Sequence, residues 1–327
     1  MVKQSIHNIK TNHLYQMTWD LFIKGNATMQ ELINSTGLSQ PSVRNMIREL
    51  QQSGLIEEIG NDHSTGGRCP TRFGLTKEHF HILNLYVHEK YVDYQMICYR
   101  EVEKQDSFEY KNDNELIEII KTLINENGCQ YCIIAVEGMV DQDIYITDHY
   151  NTYQENRWVV DLKALVDIPI YLENDVKVMQ LGRFYQGYKD SSVYLYINDI
   201  GIGCSYMDNG KLLKGEHGLS GEIGLIPYQG KTLNQCIREC QSEEEFIEIV
   251  IHLLIIIYSF VDPKHVDLFY NKKDIYVDII RDKLIKQLPH YKPFDICVVD
   301  DCYNDLYMGM SYLGIDCLLK KLTEERK

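Results

Sequence analysis

Between positions 39 and 48 stand Ser39, Gln40, Ser42, Arg44, Asn45 and Arg48, the side-chain types that read a nucleic acid. Arginine pairs bidentately with guanine, asparagine or glutamine with adenine, and serine with backbone oxygens. Val43, Met46, Ile47 and Leu50 recur among them at helical spacing. A helix here would bury the apolar stripe and turn the polar set outward. A solvated helix face is the plainer reading of any one of these residues; the elements around them decide between the two.

Ser39 is placed to cap this helix, and Pro41 falls in its first turn, where a missing N–H costs nothing. A shorter helix precedes it, with Thr28 and Glu31 spaced as a capping box, Leu32 and Ile33 turned inward and Gly37 at the turn. Leu14, Met17, Leu21 and Phe22 share a face of an earlier helix over 11–24. Downstream, residues 55–60 read as a strand, 61–68 as a glycine-rich loop and 71–75 as a return strand. Two short helices followed by a basic hairpin form a winged helix-turn-helix. Its tip, Thr65-Gly66-Gly67-Arg68, lets backbone approach a groove wall and offers Arg68 to a narrow minor groove. The plainer alternative has Arg68 and Arg72 on phosphate or on Glu57 and Glu58.

Charge supports the division. The chain of 327 residues carries a net charge of −15, yet residues 1–76 hold seven Lys/Arg against six Asp/Glu, and the remainder 26 against 42. A near-neutral head with clustered arginines on an acidic body suits a regulator better than a non-specific nucleic-acid coat, because phosphate affinity follows local charge. The first thirty residues lack the apolar core of a signal peptide, and the longest apolar run, around Leu253–Ile257, is too short for a bilayer. Ten scattered cysteines then read as reduced thiols, and a cytoplasmic protein is expected. Beyond residue 76, strand patterns alternate with helical ones, which predicts an α/β body. The segments 80–99, 132–136, 168–172, 193–197 and 297–299 read as strands, and 115–125, 162–166, 176–186, 246–260 and 306–322 as helices. No internal repeat is legible.

Several motifs in this body resemble the ROK family (repressors, open reading frames and sugar kinases), specifically its regulators with a winged head. They are Ser64-Thr65-Gly66-Gly67-Arg68-Cys69-Pro70, Glu137-Gly138-Met139-Val140-Asp141, Trp158, Leu172-Glu173-Asn174-Asp175, Gly201-Ile202-Gly203, and the run from Asn209-Gly210-Lys211 to Gly218-Leu219-Ser220-Gly221-Glu222-Ile223-Gly224. The resemblance implies a two-lobed actin/hexokinase-like body preceded by an N-terminal winged helix-turn-helix domain at 1–76. The first α/β lobe would span 77–172, joined by a C-terminal helix at 305–327, and the second 173–304.

By residue type alone, Asn174 and Asp175 read as a helix-capping pair and Glu222 as a strand end. The resemblance makes them ligand residues: Asp175 stands where the family's kinases hold the base for a sugar hydroxyl, and Asn174 and Glu222 where they bind sugar hydroxyls. The phosphate side departs from that pattern. Where the kinases have an Asp-x-Gly-Gly-Thr loop, this chain has Asn84-Leu85-Tyr86-Val87-His88-Glu89; where they have Gly-Thr-Gly-x-Gly, it has Asp199-Ile200-Gly201-Ile202-Gly203. Backbone amides approach phosphate closely where glycine allows it, and Asp199 repels one. The family's structural zinc has a histidine where Leu225 stands and a cysteine cluster of which only Cys236 and Cys240 remain nearby. The expectation is therefore a regulator with no catalytic residue, cofactor or metal. It would bind an imperfect inverted repeat of double-stranded DNA as a homodimer or dimer of dimers, stay off membranes, and sense a sugar or sugar derivative. Two other readings stay open: a body kept as a dimerisation or protein-interaction scaffold, and an active sugar kinase.

Overall fold

The computed structural model describes residues 2–61, 69–149, 152–187, 191–271, 276–288 and 295–324. The chain opens with helix α1 (Val2–Lys24), then β1 (Asn26–Thr28), α2 (Met29–Thr36), α3 (Gln40–Gln52), β2 (Ile56–Asn61) and β3 (Thr71–Leu75). The capping box forms as expected: Thr28 accepts from the Glu31 N–H, and the Glu31 carboxylate accepts from the Thr28 N–H. Gly37 ends α2 at φ 68°, a left-handed conformation that glycine adopts without strain. The three strands form one antiparallel sheet in the order β1-β3-β2. Arg72 on β3 reaches Glu31 on α2 at 3.1 Å and also bonds Asn26. Through these contacts Arg72 fastens the wing to α2. The tip residues Thr65, Gly66, Gly67 and Arg68 lie outside the described residues.

The body contains two five-stranded sheets. In the first half run β4 (His81–Val87), β5 (Tyr91–Cys98), β6 (Glu101–Glu109), α4 (Asp113–Asn127), β7 (Tyr131–Val136), a small insert of β8 (Met139–Asp141), β9 (Ile144–His149) and β10 (Thr152–Asn156), then α5 (Trp158–Leu165) and β11 (Ile170–Asn174). Helix α6 (Asp175–Tyr185) crosses to the second half. There follow β12 (Ser192–Ile197), β13 (Ile202–Asp208), β14 (Lys211–Leu212), β15 (Pro227–Tyr228), β16 (Lys231–Thr232), α7 (Leu233–Glu239), α8 (Glu243–Val261), β17 (His265–Tyr270), α9 (Val277–Gln287), β18 (Asp295–Val298) and α10 (Cys302–Glu324).

The sheets are ordered β6-β5-β4-β7-β11 and β14-β13-β12-β17-β18. In each, the first three strands pair antiparallel as a meander, and the fourth and fifth add in parallel beside the first. The two halves therefore repeat one topology that the sequence does not show, because the fold constrains polarity and spacing rather than residue identity. This is the two-lobed actin/hexokinase-like body with a winged head. Several elements escaped the sequence reading. β6 is exposed along its whole length and has no buried face to signal it. β17, α7, α9 and the β8–β10 insert also went unread. α5 begins at Trp158, and β11 runs on to Asn174. Gly203 sits inside β13.

Helices α6 and α10 pack between the halves. They cross with backbones nearly touching: a Cβ on Gly182 would lie 1.9 Å from the Asp305 carbonyl oxygen, and one on Gly309 2.0 Å from that of Val178. Asp305, itself buried, accepts from Tyr194 at 3.0 Å and Gln186 at 2.8 Å. The apolar core does not stop at residue 76. Leu14, Met17, Leu21 and Phe22 of α1 belong to the same buried cluster as Phe80, Ile82, Val178, Met310 and Leu319. Head and body are joined through α1. Trp19 lies 5.4 Å from Tyr185 and 6.0 Å from Tyr312, Phe22 meets Tyr99 edge-on at 5.3 Å, and the Tyr15 hydroxyl donates to Asp316. Among the described residues no helix is long and apolar enough to cross a membrane.

Candidate nucleic-acid interface and ligand cleft

Helix α3 buries Val43, Met46, Ile47 and Leu50 and leaves Gln40, Arg44, Asn45 and Arg48 exposed. Ser39 is the N-cap: its hydroxyl accepts from the Ser42 N–H at 3.4 Å and sits 2.9 Å from the Ser42 hydroxyl. Two of the six candidates are thus engaged in holding the helix start. The other four form the outward face, and among the described residues no ion pair holds Arg44 or Arg48. Lys10 on α1 pairs with Glu49 at 2.8 Å, so the head helix also braces α3 from behind.

In the body, the strand end of β11 and the first turn of α6 bring Asn174 and Asp175 together. Asn174 is the N-cap: its Oδ1 accepts from the Lys177 N–H at 3.1 Å, and its Nδ2 donates to the Gly138 carbonyl and to Asp175 Oδ1, both at 3.0 Å. Asp175 Oδ1 also accepts from the Val176 N–H at 2.8 Å. Its other oxygen accepts from the Tyr86 hydroxyl at 3.1 Å. Burial pushes the Asp175 carboxyl up to about 7, with the nearby Glu137 and Glu222 carboxylates adding to the rise. Burial likewise raises the Tyr86 hydroxyl well above the ordinary tyrosine range.

Glu222 follows Gly221, whose φ of 98° and 1.9 Å Cβ approach to the Cys204 carbonyl oxygen admit only glycine. It precedes a short 3-10 turn rather than ending a strand. No side-chain hydrogen bond joins it to Asn174 or Asp175, but it acts on both Asp175 and Lys177 electrostatically. Burial raises Glu222, and Lys177 pulls it back partway. Lys177 is a residue the sequence reading missed. It is almost fully buried and donates to the Gly218 carbonyl at 2.7 Å. Burial lowers its pKa against the pull of Glu173 and Glu222. An apolar-looking helix turn gave no cue that its lysine points inward.

A cleft of about 1060 Å³ opens beside this cluster rather than on it. Its walls include His88, Tyr91, Glu137, Tyr145 and Asn156 from the first half and Ile200 and Arg238 from the second. Glu137 faces the cleft, and the Tyr86 hydroxyl lies 3.4 Å from it on one side and bonds Asp175 on the other. Tyr86 therefore links Glu137, which lines the cleft, to the Asp175 carboxylate. Arg238 of α7 donates to the Ile200 carbonyl at 3.0 Å and lies 4.0 Å from Asp148 of β9, an ion pair across the two halves.

The amides of the 199–203 segment are bonded within the chain itself. Asn198 Oδ1 accepts from the N–H groups of Ile200 and Gly201, each at 2.9 Å, and Asn234 Oδ1 accepts from Ile202 at 2.9 Å. Gly201 and Gly203 answer to packing: a Cβ would meet Asn234 at 2.8 Å in one case and Val176 at 2.5 Å in the other. The family's zinc does not fit here. Leu225 offers no donor, Cys236 Sγ contacts the Tyr228 carbonyl, and Cys240 Sγ the Ser242 carbonyl.

Family models match on both parts of the chain: "Winged helix-turn-helix DNA-binding" at residues 24–57 and "ROK family" at 99–244. The chain is 24% identical over 226 residues to the xylose repressor of Staphylococcus xylosus, covering 62% of this chain and 57% of that protein. It is 22% identical over 213 residues to the DNA-binding transcriptional dual regulator NagC of Escherichia coli, covering 60% and 52%. The matches thus span little more than half the length of these relatives. Among solved structures, a ROK family transcriptional regulator homologous to the Escherichia coli MLC protein superposes with a TM-score of 0.73 at 17% identity, covering 97% of this chain and 99% of that one. A ROK hexokinase from Thermus thermophilus reaches 0.56 at 16% identity over 72% of this chain and 99% of that one. The chain carries a ROK family domain behind an N-terminal winged helix-turn-helix domain.

Proposed function

We propose that this chain is a sequence-specific DNA-binding transcriptional regulator, a repressor, whose body senses a sugar or sugar derivative without phosphorylating it. One observation carries the reading: α6 starts at the Asn174–Asp175 cluster and ends at Tyr185, against Trp19 of the head. A ligand that reorders the start of α6 therefore displaces a rigid rod whose far end touches α1, and α1 braces α3. That provides two sites and a connecting element that both can bias. Residues 1–76 read DNA, 77–172 with the closing helix form one lobe, and 173–304 the other. Gln40, Arg44, Asn45 and Arg48 contact the duplex, with Ser39 and Ser42 setting the helix start and Arg68 reaching from the wing. Asn174, Asp175 and Glu222 meet the ligand. The relatives named as xylose and N-acetylglucosamine regulators make a sugar the ligand class to test. Phosphoryl transfer is set aside because Asn198 takes the amides that a phosphate needs. The protein works in the cytoplasm as a homodimer or dimer of dimers on an imperfect inverted repeat, two recognition helices entering successive major grooves.

The test is a binding assay on the chain's own promoter against random duplex at moderate salt, repeated with a panel of sugars and sugar phosphates. Preference for the promoter, weakened by one of the sugars, is the expected result; equal affinity for both duplexes would end the proposal. A second reading, a body without a ligand, has its own supporting observation. Every oxygen of Asp175 and the whole amide of Asn174 already have partners inside the chain. If no sugar shifts the melting temperature while promoter binding holds, the scaffold reading replaces the sensor.

A further inference from the structure

Where the head meets the body, three strands place a histidine, a cysteine and a glutamate together. His81 on β4 and Cys98 on β5 are direct cross-strand partners. On β6 the register shifts: Met96 faces Lys104 and Ile97 faces Val102, so Glu103 is the extra residue of a β-bulge. A bulge re-aims a side chain that the regular alternation would direct elsewhere. Here the donor atoms of His81, Cys98 and Glu103 all lie within 4.8 Å of one another, and among the described residues no other group of three such side chains converges.

We propose that His81, Cys98 and Glu103 bind one divalent transition-metal ion of the zinc class. The donor set is one imidazole nitrogen, one thiolate and one carboxylate, the mixture a borderline-soft ion accepts. Zinc holds such donors at roughly 2.0–2.3 Å, which puts them about 4 Å or less from each other, so small rotamer adjustments close the set. His81 and Cys98 are half-buried and Glu103 is exposed, leaving a fourth position for water.

The location gives the ion a consequence. Phe80 precedes His81 and Tyr99 follows Cys98, and these two rings grip Phe22 of α1 at 6.3 and 5.3 Å. The Arg100 guanidinium covers the same ring at 5.9 Å. Tyr99 itself adopts φ 58°, an uncommon conformation for a side chain of that size. An ion there ties β4, β5 and β6 at the ends that hold the head, and stiffens the joint. The site is separate from Leu225, Cys236 and Cys240.

The experiment uses the full chain without an affinity tag. Zinc is titrated against a chelating indicator, and cobalt(II) is added in parallel as a spectroscopic substitute. The expected result is one ion per chain, with a thiolate-to-cobalt charge-transfer band. Binding should weaken at least tenfold in Cys98→Ser and His81→Gln, and measurably in Glu103→Gln, whose exposed position leaves folding intact. Cys236→Ser should bind as the parent does. Folded protein that binds no zinc, cobalt binding without the thiolate band, or binding that survives Cys98→Ser would each overturn the assignment.

Discussion

The Tyr86 hydroxyl donates to the Asp175 carboxylate at 3.1 Å. A buried carboxylate oxygen thus has a protein hydroxyl as its partner, in the same role a ligand hydroxyl would take. Tyr86→Phe keeps the ring and removes the donor. Leaving a buried acceptor short of one partner costs on the order of 1–3 kcal/mol. Urea denaturation at neutral pH should show a loss of that size, and an unchanged midpoint would mean that the bond contributes nothing in solution.

The same carboxyl makes stability depend on pH. In the unfolded chain an aspartate titrates near pH 3.9, as a rough reference, whereas burial beside Glu137 and Glu222 lifts folded Asp175 to about 7. The folded state therefore holds a proton that the unfolded state has released. The stability from this group is full below the unfolded value and is lost as pH rises through about 7. Glu222, also raised by burial, contributes with the same sign. Denaturation midpoints should fall from pH 5.5 to pH 8.5 (an assay range of roughly three units), and Asp175→Asn should flatten much of that slope. A wild-type slope that persists undiminished in the variant would assign the titration to other groups.

How much of this was legible beforehand depended on whether a residue's role was local. Thr28, Glu31, Gly37, Ser39 and Pro41 act within a few positions of themselves, and their caps and turn form where the sequence places them. The duplicated sheets were hidden because topology leaves no residue-level repeat. β6 was hidden because a strand exposed on both faces has no alternation to read. Asn174 and Asp175 stand in a motif, but the roles of Tyr86 as a hydrogen-bond donor to Asp175 and of Lys177 as a buried cation depend on contacts 89 and 41 positions away in sequence. The same holds for the aromatic joint. Nothing in the spacing of Trp19 and Tyr185 indicates that they meet.

That joint predicts a variant in which recognition and response separate. Trp19 touches Tyr185 of α6 and Tyr312 of α10 while Leu14, Met17 and Leu21 hold the rest of α1 in the core. Trp19→Ala should cost on the order of 3 kcal/mol, because a large, partly buried aromatic leaves a cavity. If α6 carries the signal, promoter binding should survive at temperatures well below melting, and its sensitivity to the effector should drop several-fold. Response and affinity falling together would point to general loosening of the head instead.

The recognition face gives the last test, because it separates base reading from phosphate holding. Gln40, Arg44, Asn45 and Arg48 are exposed and lie opposite the buried stripe of α3, so truncating them removes little packing. Melting temperatures of Arg44→Ala and Asn45→Ala should match the parent, since surface changes of this kind stay within about 0.5 kcal/mol. A side chain paired to a base edge is worth about 1–3 kcal/mol of discrimination, so operator affinity should fall roughly five- to 150-fold while affinity for random duplex changes little. A side chain on phosphate behaves differently: affinity falls on every duplex alike, and the slope of log affinity against log salt drops by about one. Arg48, furthest from the N-terminus of α3, is expected in this second class. If all four variants bind operator as the parent does, α3 is not the reading helix and the polar face is only solvated.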